Sequence, residues 1–333
     1  MNLLEKNSVV NLRVFATMLI LCCHLVVVFD NGIIQLTSQF FNVGVYLFLI
    51  ISGYLYGKKE ISKKYTYKNW LVSRAKRILT PMYIFMIFLL CIYLFKGLEI
   101  QISHWITYIF NLQGLEIYIY GAEHLWYLTI AMVCYFITPI LDKNRNKFNN
   151  KNISILFSIL IIVQLIMSYF IYQQFGRYLI LIELYILAYF IGFYWNSDSI
   201  NLKNFIYSIA LIVCALTIRL LGMIKFDGSI LYDVLIVGYT HSLLGLGLFF
   251  AGFYITSKLK NGFIDKVVSH FNHISYEIYL VHYMLIGGPL GVLFTNSNIV
   301  NCFIVLICTY ILALILNRVS NIVNNKLDLK SLG

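Results

Sequence analysis

The first long apolar stretch of the sequence, residues 11–29, contains an arginine and a histidine, Arg13 and His24. If the stretch is an α-helix, eleven steps of about 100° bring both side chains onto one face, about 16 Å apart along the axis. An ionisable side chain inside a membrane usually faces a cavity or a partner, because contact with lipid costs several kcal/mol. The pair therefore predicts a polar path along this face. It offers a cation for anion binding at one end and an imidazole for general-base or nucleophilic catalysis at the other.

Each of the two residues also has a purely structural explanation. Arg13 could extend its guanidinium to the lipid headgroups, and His24 could make one hydrogen bond to a neighbouring helix. Their position on a shared face strengthens the functional interpretation of both.

Further residues that could bind a ligand are predicted to lie on the same side of the membrane as Arg13. Arg74 and Arg77 are three residues apart and so share a helix face, and guanidinium groups bind phosphates in a bidentate manner. Ordinary membrane topology also explains basic residues at this position. Ser52 lies near the end of the second apolar stretch, where it could line a ligand entrance or allow close helix packing.

A second polar group is predicted at the opposite side of the membrane. Glu123, His124 and Trp126 cluster at the start of an apolar stretch, although Trp is also common at membrane interfaces. An acid, a histidine and a flat aromatic ring suit a sugar, because the ring can stack on its apolar face while the polar groups bind hydroxyls. His282 lies inside a late apolar stretch that also contains Glu277.

Membrane helices must position these residues. Hydrophobic residues make up 60% of the 333 residues and charged residues 12%, which excludes an ordinary soluble domain. Crossing the hydrocarbon core takes about 20 apolar residues, and about ten segments qualify. They are residues 9–29, 38–57, 78–96, 124–141, 153–173, 178–195, 203–223, 236–257, 274–294 and 298–318. We therefore expect an all-α polytopic bundle that forms a single membrane domain over residues 1–333.

The net charge of +11 follows this topology rather than a nucleic-acid-binding surface. Most lysines and arginines fall in loops on one side of the predicted bundle, which the positive-inside rule identifies as cytoplasmic. Both termini are predicted to be cytoplasmic, and nucleic acid is not expected as a partner. The seven cysteines lack a paired Cys-x-x-Cys spacing, so no metal site is predicted.

Taken together, these segments resemble the acyltransferase 3 family of membrane proteins. The family's first span carries an arginine, ten further residues and a histidine, which Arg13 and His24 match. Its second-span pattern FF…SGY is matched by residues 40–54, and the arginine-rich start of its third span by residues 74–81. The HLWYL element at 124–128 and the late S-Y-x-x-Y-L-x-H element at 275–282 also match.

The resemblance implies acyl-coenzyme A as the donor, most often acetyl-coenzyme A, bound from the cytoplasm. Arg13, Arg74 and Arg77 are then the candidates for its phosphates, with Ser52 at the entrance. His24 would be the general base or a transient acyl carrier, and desolvation at its depth is expected to keep the ring neutral.

The acceptor implied by the resemblance is a hydroxyl of a cell-surface or lipid-linked carbohydrate. Glu123 is a second catalytic candidate, since Glu123 or Glu116 could orient the acceptor or His24. His124, Trp126 and His282 are candidates for contact with the sugar. The HLWYL form resembles the compact branch of the family, which implies a multi-pass protein of the bacterial plasma membrane surrounded by lipid.

Two other functions are compatible with the same residues. A polar channel with inward arginines would also suit an exporter of glycans or small solutes that performs no chemistry. A haem protein with two histidine ligands, His24 and His282, is less favoured. Binding of acetyl-coenzyme A separates the exporter from the enzyme.

Overall fold

The structure, a computed structural model, consists of helices and the loops between them over the residues that it describes. These residues are 3–29, 32–115, 117–145, 182–195, 201–226, 228–229, 231–258, 262–291 and 295–330, with scattered positions between 152 and 166. The helices discussed below are α1 (Leu3–Leu25), α2 (Gly32–Phe41), α3 (Gly44–Gly57), α4 (Ile61–Lys64), α5 (Tyr67–Lys96), α6 (Ile102–Ile109), α7 (Trp126–Lys143), α8 (Ile182–Tyr194), α9 (Leu202–Phe226), α10 (Val237–Lys258), α11 (Gly262–Ile286) and α12 (Asn298–Lys330).

Within the described residues, seven helical stretches are long and apolar enough to cross a membrane. They are Glu5–Leu25, Thr37–Gly57, Tyr67–Lys96, Glu123–Lys143, Leu202–Phe226, Tyr232–Lys258 and Asn298–Leu327. Large apolar side chains cover the outside of several of them, a surface that water disfavours and lipid accepts. Examples are Ile206, Val213 and Ile224 on α9 and Phe303 and Ile307 on α12. The chain is therefore a multi-pass membrane protein built from helices.

The ends of the helices differ in places from the predicted spans. The helix α5 begins at Tyr67 rather than at residue 78, because the Thr66 hydroxyl accepts a hydrogen bond from the backbone N–H of Asn69 and caps the helix. It ends at Gly97, whose positive φ of 63° suits glycine. The basic residues 74–77 thus lie in the same helix as the apolar span that they precede, in keeping with the helix face expected for Arg74 and Arg77.

One further span differs from its predicted form, and parts of two others lie outside the described residues. The predicted span 38–57 is divided by a turn at residues 42–43 into α2 and α3. The predicted span 153–173 lies largely outside the described residues, as do residues 178–181 of the next one.

One compact unit consists of Met1–Ala16, Asn42–Tyr65 and Val133–Ser269. In it α3 and α8 approach each other closely through bare glycines. A Cβ atom added to Gly53 would lie 2.0 Å from the carbonyl oxygen of Tyr189, and one added to Gly192 would lie 2.0 Å from that of Ile50. Such small residues let membrane helices pack backbone against backbone. Gly53 therefore has a packing role in this unit.

The second compact unit consists of Thr17–Phe41, Thr66–Met132 and His270–Gly333. Its α5 packs on α12 and is joined to α11, where the Tyr276 hydroxyl donates to the carbonyl of Ile78 at 2.8 Å. At the other end of α5, Lys96 donates to the carbonyl of Pro289 at 2.5 Å. Both units combine segments from across the chain, and the single domain over residues 1–333 stays a prediction.

Candidate active site

Three histidines that are far apart in the sequence come together in the second unit. His24 lies near the end of α1, His124 in the 3-10 turn Glu123–Leu125 directly before α7, and His282 in α11. Nδ1 of His24 lies 2.8 Å from Nε2 of His282, and the two rings stack with centroids 4.9 Å apart. The ring of His124 stands edge-on to both, with its centroid 6.2 Å from His24 and 4.8 Å from His282. His124 and His282 are buried, whereas His24 is half-buried.

The hydrogen bonds of this cluster determine which nitrogen of each neutral ring carries the proton. Nδ1 of His282 lies 2.8 Å from the carbonyl oxygen of Tyr279 and 3.2 Å from that of Ile278. A carbonyl oxygen only accepts, so Nδ1 of His282 donates and its Nε2 carries the lone pair. Nδ1 of His24 must then donate to Nε2 of His282. In neutral His24 the lone pair consequently lies on Nε2, which is the atom that a general base needs.

Tyr279 organises two of the three imidazoles at once. Its carbonyl oxygen also lies 2.8 Å from Nε2 of His124, which therefore donates as well. In return the Tyr279 hydroxyl donates to the backbone carbonyl of His124. The lone pair of neutral His124 then lies on Nδ1. This atom is buried and has no hydrogen-bond partner within the described part of the chain.

The ring of Tyr283 covers the cluster on a less buried side. Its centroid lies 4.8 Å from that of His24 and 5.3 Å from that of His124, and the side chain is half-buried. One turn further on stands Gly287, where an added Cβ atom would lie 3.1 Å from Cζ of Tyr283. The glycine therefore leaves room for the tyrosine side chain.

The face of α1 between Arg13 and His24 is closely packed near the cluster. A crevice too narrow for a water molecule is lined by Thr17, Ile20, Leu21, Ile278, Tyr279 and His282. The polar path expected from the sequence is therefore closed and mostly apolar along residues 17–21. The physical reason is that α1 lines this crevice with Thr17, Ile20 and Leu21, of which only the threonine is polar.

The loop before His124 is held by side chains of the neighbouring helices. The Tyr93 hydroxyl donates to the carbonyl of Tyr120 at 2.9 Å, and the Tyr108 hydroxyl to that of Ala122 at 2.9 Å. Burial raises the pKa of the Tyr108 phenol, so its hydroxyl remains a donor. Oε2 of Glu123 accepts from the backbone N–H of Gly121 at 2.8 Å, which fixes this carboxylate in its own turn.

The roles predicted for the residues on the acceptor side are not tested by the structure. Trp126 begins α7 and is buried, and its stacking on a sugar stays a prediction. Glu116 lies outside the described residues. The catalytic role of Glu123 and the sugar contacts of His124 and His282 also stay predictions.

The arginines predicted to bind phosphate belong to different parts of the structure. Arg74 is half-buried, with its guanidinium carbon 4.9 Å from the centroid of the Trp70 ring and Nη2 donating to Oγ of Ser73 at 3.0 Å. Arg77, on the same helix, is exposed. Arg13 and Ser52 are half-buried in the first unit. All four stay candidates for the donor.

Tyr279 and Tyr283 are functional candidates that sequence reasoning missed. Tyr279 lies within the late motif and Tyr283 directly follows it, and the three-residue spacing between Tyr279 and His282 brings the Tyr279 carbonyl under the imidazole. That spacing is visible in the sequence. The contact of His282 with His24 is not, because 258 residues separate them.

The nitrogens of the histidine cluster are largely engaged by one another and by backbone carbonyls. Among the described residues, no group of three or more histidines, cysteines or acids could hold a metal ion. In this cluster both nitrogens of His282 are already engaged, one by a carbonyl and the other by His24.

The apolar helices define a helical membrane protein, and within it the half-buried His24, with its lone pair on Nε2, is a candidate general base. The model of the acyltransferase 3 family, described as an acyltransferase domain, matches residues 7–318, which is nearly the whole chain. The chain therefore belongs to this family and is a membrane acyltransferase. No curated protein and no solved structure shows significant similarity to it.

Proposed function

We propose that this protein transfers an acetyl group from cytoplasmic acetyl-coenzyme A to a hydroxyl of a cell-surface or lipid-linked carbohydrate. The observation that carries the proposal is the hydrogen-bond chain from the Tyr279 carbonyl through His282 to His24. It leaves Nε2 of His24 as a lone-pair nitrogen on the half-buried member of the cluster.

His24 then acts as the general base. Nε2 takes the proton of the acceptor hydroxyl while the hydroxyl oxygen attacks the thioester carbonyl carbon. The resulting imidazolium keeps its Nδ1–H bond to Nε2 of His282, whose lone pair stabilises the positive charge. When the carbon–sulfur bond breaks, the proton on Nε2 passes to the departing thiolate. The ester is formed, free coenzyme A leaves, and His24 returns to its neutral form.

The donor requires cations for its phosphates, and the basic residues supply them. Arg74 has its guanidinium partly desolvated against Trp70, which strengthens an interaction with an anion. Arg77 is exposed one turn away, and Arg13 shares α1 with His24. Within the second unit, Arg74 and Arg77 are the candidates for the donor phosphates and His24 is the candidate for the thioester end. The proposal places the protein in the bacterial plasma membrane.

The acceptor side is supported by the residues around His124. Its turn follows a loop that several hydrogen bonds hold in one conformation, and Glu123 and Trp126 flank it. A preorganised group of polar side chains of this kind suits a carbohydrate better than an apolar acceptor.

The test uses the full chain purified into lipid nanodiscs, with radiolabelled acetyl-coenzyme A and a panel of surface glycans as acceptors. We expect transfer by the wild type and a loss of at least about hundredfold in kcat for His24→Gln, the usual range for a general base. Acetyl-coenzyme A binding should be retained in this variant.

The matched control is His104→Gln. His104 is another histidine of the second unit, and its Nδ1 bonds the carbonyl of Tyr118 at 2.8 Å. It should keep wild-type activity. Full activity of a folded His24→Gln protein would overturn the assignment of the base, and failure of the wild type to bind acetyl-coenzyme A would favour the exporter.

A further inference from the structure

His124 has a buried nitrogen that the acyl-transfer step does not use. Its Nε2 donates to the Tyr279 carbonyl, so Nδ1 of the neutral ring can only accept. Nδ1 is buried and has no partner within the described residues. Buried polar atoms are nearly always satisfied in native proteins, so this acceptor beside the proposed base is available to a ligand that supplies the donor.

The surroundings of this nitrogen connect it to the base. The rings of His24 and His124 meet edge-on with centroids 6.2 Å apart. The half-buried ring of Tyr283 contacts both. One ligand that displaces this ring would therefore reach both imidazoles together.

We propose that His124 binds a second hydrogen-bond donor of the acceptor, so that the preferred acceptor is a vicinal diol. One hydroxyl donates to Nδ1 of His124, and the neighbouring hydroxyl is thereby oriented toward Nε2 of His24, where it is acetylated. One hydrogen bond of about 2.8 Å to each imidazole, together with the distance between two adjacent hydroxyls, is long enough to span the separation of the two rings. The inference rests on the proposed acetyl transfer and adds the class of acceptor.

The chemistry of Nδ1 makes the requirement selective. A lone pair accepts from O–H but gains nothing from an ether oxygen in the same position. An acceptor without the second hydroxyl leaves Nδ1 of His124 buried and unpaired. The enzyme should therefore discriminate strongly against such an acceptor. An acceptor with a single hydroxyl still reaches His24 but is not oriented.

The experiment compares three small acceptors with labelled acetyl-coenzyme A in nanodiscs: trans-cyclohexane-1,2-diol, its monomethyl ether, and cyclohexanol. The wild type should prefer the diol over both others by about tenfold in kcat/KM, the value of one hydrogen bond. In His124→Gln the side-chain amide keeps a donor for the Tyr279 carbonyl but removes the acceptor at Nδ1. This variant should lose the preference for the diol, with its kcat/KM for the diol falling to about that for cyclohexanol.

His124→Asn supplies the complementary variant, because its amide oxygen falls near the position of Nδ1. It should keep part of the preference, whereas the control His104→Gln should keep all of it. An equal preference for the diol in wild type and His124→Gln would overturn the inference while the acetyl transfer itself stood. A wild type that acetylates neither these alcohols nor any glycan would contradict the proposed function and the inference with it.

Discussion

Nδ1 of His24 and Nε2 of His282 are 2.8 Å apart, and the backbone carbonyl of Tyr279 decides which of them donates. Because that carbonyl takes the proton of His282 Nδ1, the histidine in α11 presents a lone pair to the histidine in α1. The arrangement orients the base in the way that a carboxylate does in a hydrolase triad, but without a buried negative charge.

The first prediction concerns this orienting contact. His282→Leu should lower kcat by about a hundredfold with little change in KM for either substrate, because His24 loses the partner that fixes its tautomer and stabilises its charge. His282→Gln should recover part of the loss, since its amide oxygen reaches the position of Nε2 and accepts from His24.

The measurement combines steady-state kinetics with the 15N shifts of the His24 side chain. In the wild type the shifts should identify a neutral ring protonated on Nδ1, and in His282→Leu a mixture of both tautomers. A purely structural role for His282 is indicated instead if the tautomer of His24 is unchanged while activity falls.

The second prediction concerns the donor. Arg13→Gln should weaken acetyl-coenzyme A binding by about tenfold or more, as expected for losing a charged hydrogen bond to phosphate. Binding of acetyl-pantetheine, which lacks phosphates, should not change. The control is Arg318→Gln, because Arg318 is exposed on α12. Isothermal titration supplies both dissociation constants, and equal losses for the two ligands would contradict a phosphate contact.

Hydropathy predicts the seven membrane-crossing stretches that the described residues contain, although not all of their ends. It also places Arg13 and His24 on one helix, and their spacing places them on one face of it. The partner of His24 could not be predicted, because no local pattern connects α1 with α11. The sequence also could not predict which imidazole nitrogens carry lone pairs, because the backbone carbonyl of Tyr279 determines this. The start of α5 was misplaced because hydropathy ignores the Thr66 cap, which extends the helix through its basic residues.

The third prediction concerns the loop that leads to His124. Tyr108 is fully buried, donates to the carbonyl of Ala122 and accepts from the backbone N–H of Ile119 at 3.3 Å. Tyr108→Phe leaves both backbone groups without this partner, which should cost about 1–3 kcal/mol of stability. Tyr120→Phe is the control, because Tyr120 is exposed. Each variant is heated in detergent, and the protein that remains monodisperse is measured by size-exclusion chromatography to give a thermal midpoint. Equal midpoints for the two variants would show that the hydroxyl of Tyr108 does not hold the loop.

The fourth prediction concerns the close packing of α3 on α8. Gly192→Ala would bring a Cβ atom to 2.0 Å from the carbonyl oxygen of Ile50, and backbone cannot move aside as a flexible side chain can. The helices must separate, which should cost about 1–3 kcal/mol and lower the thermal midpoint in detergent by several degrees. At Gly32 an added Cβ meets nothing within 4 Å, so Gly32→Ala should behave as wild type. A Gly192→Ala protein as stable as the Gly32→Ala control would mean that α3 and α8 are further apart than the glycine contacts require. The small residues of the SGY segment would then need an explanation other than helix packing.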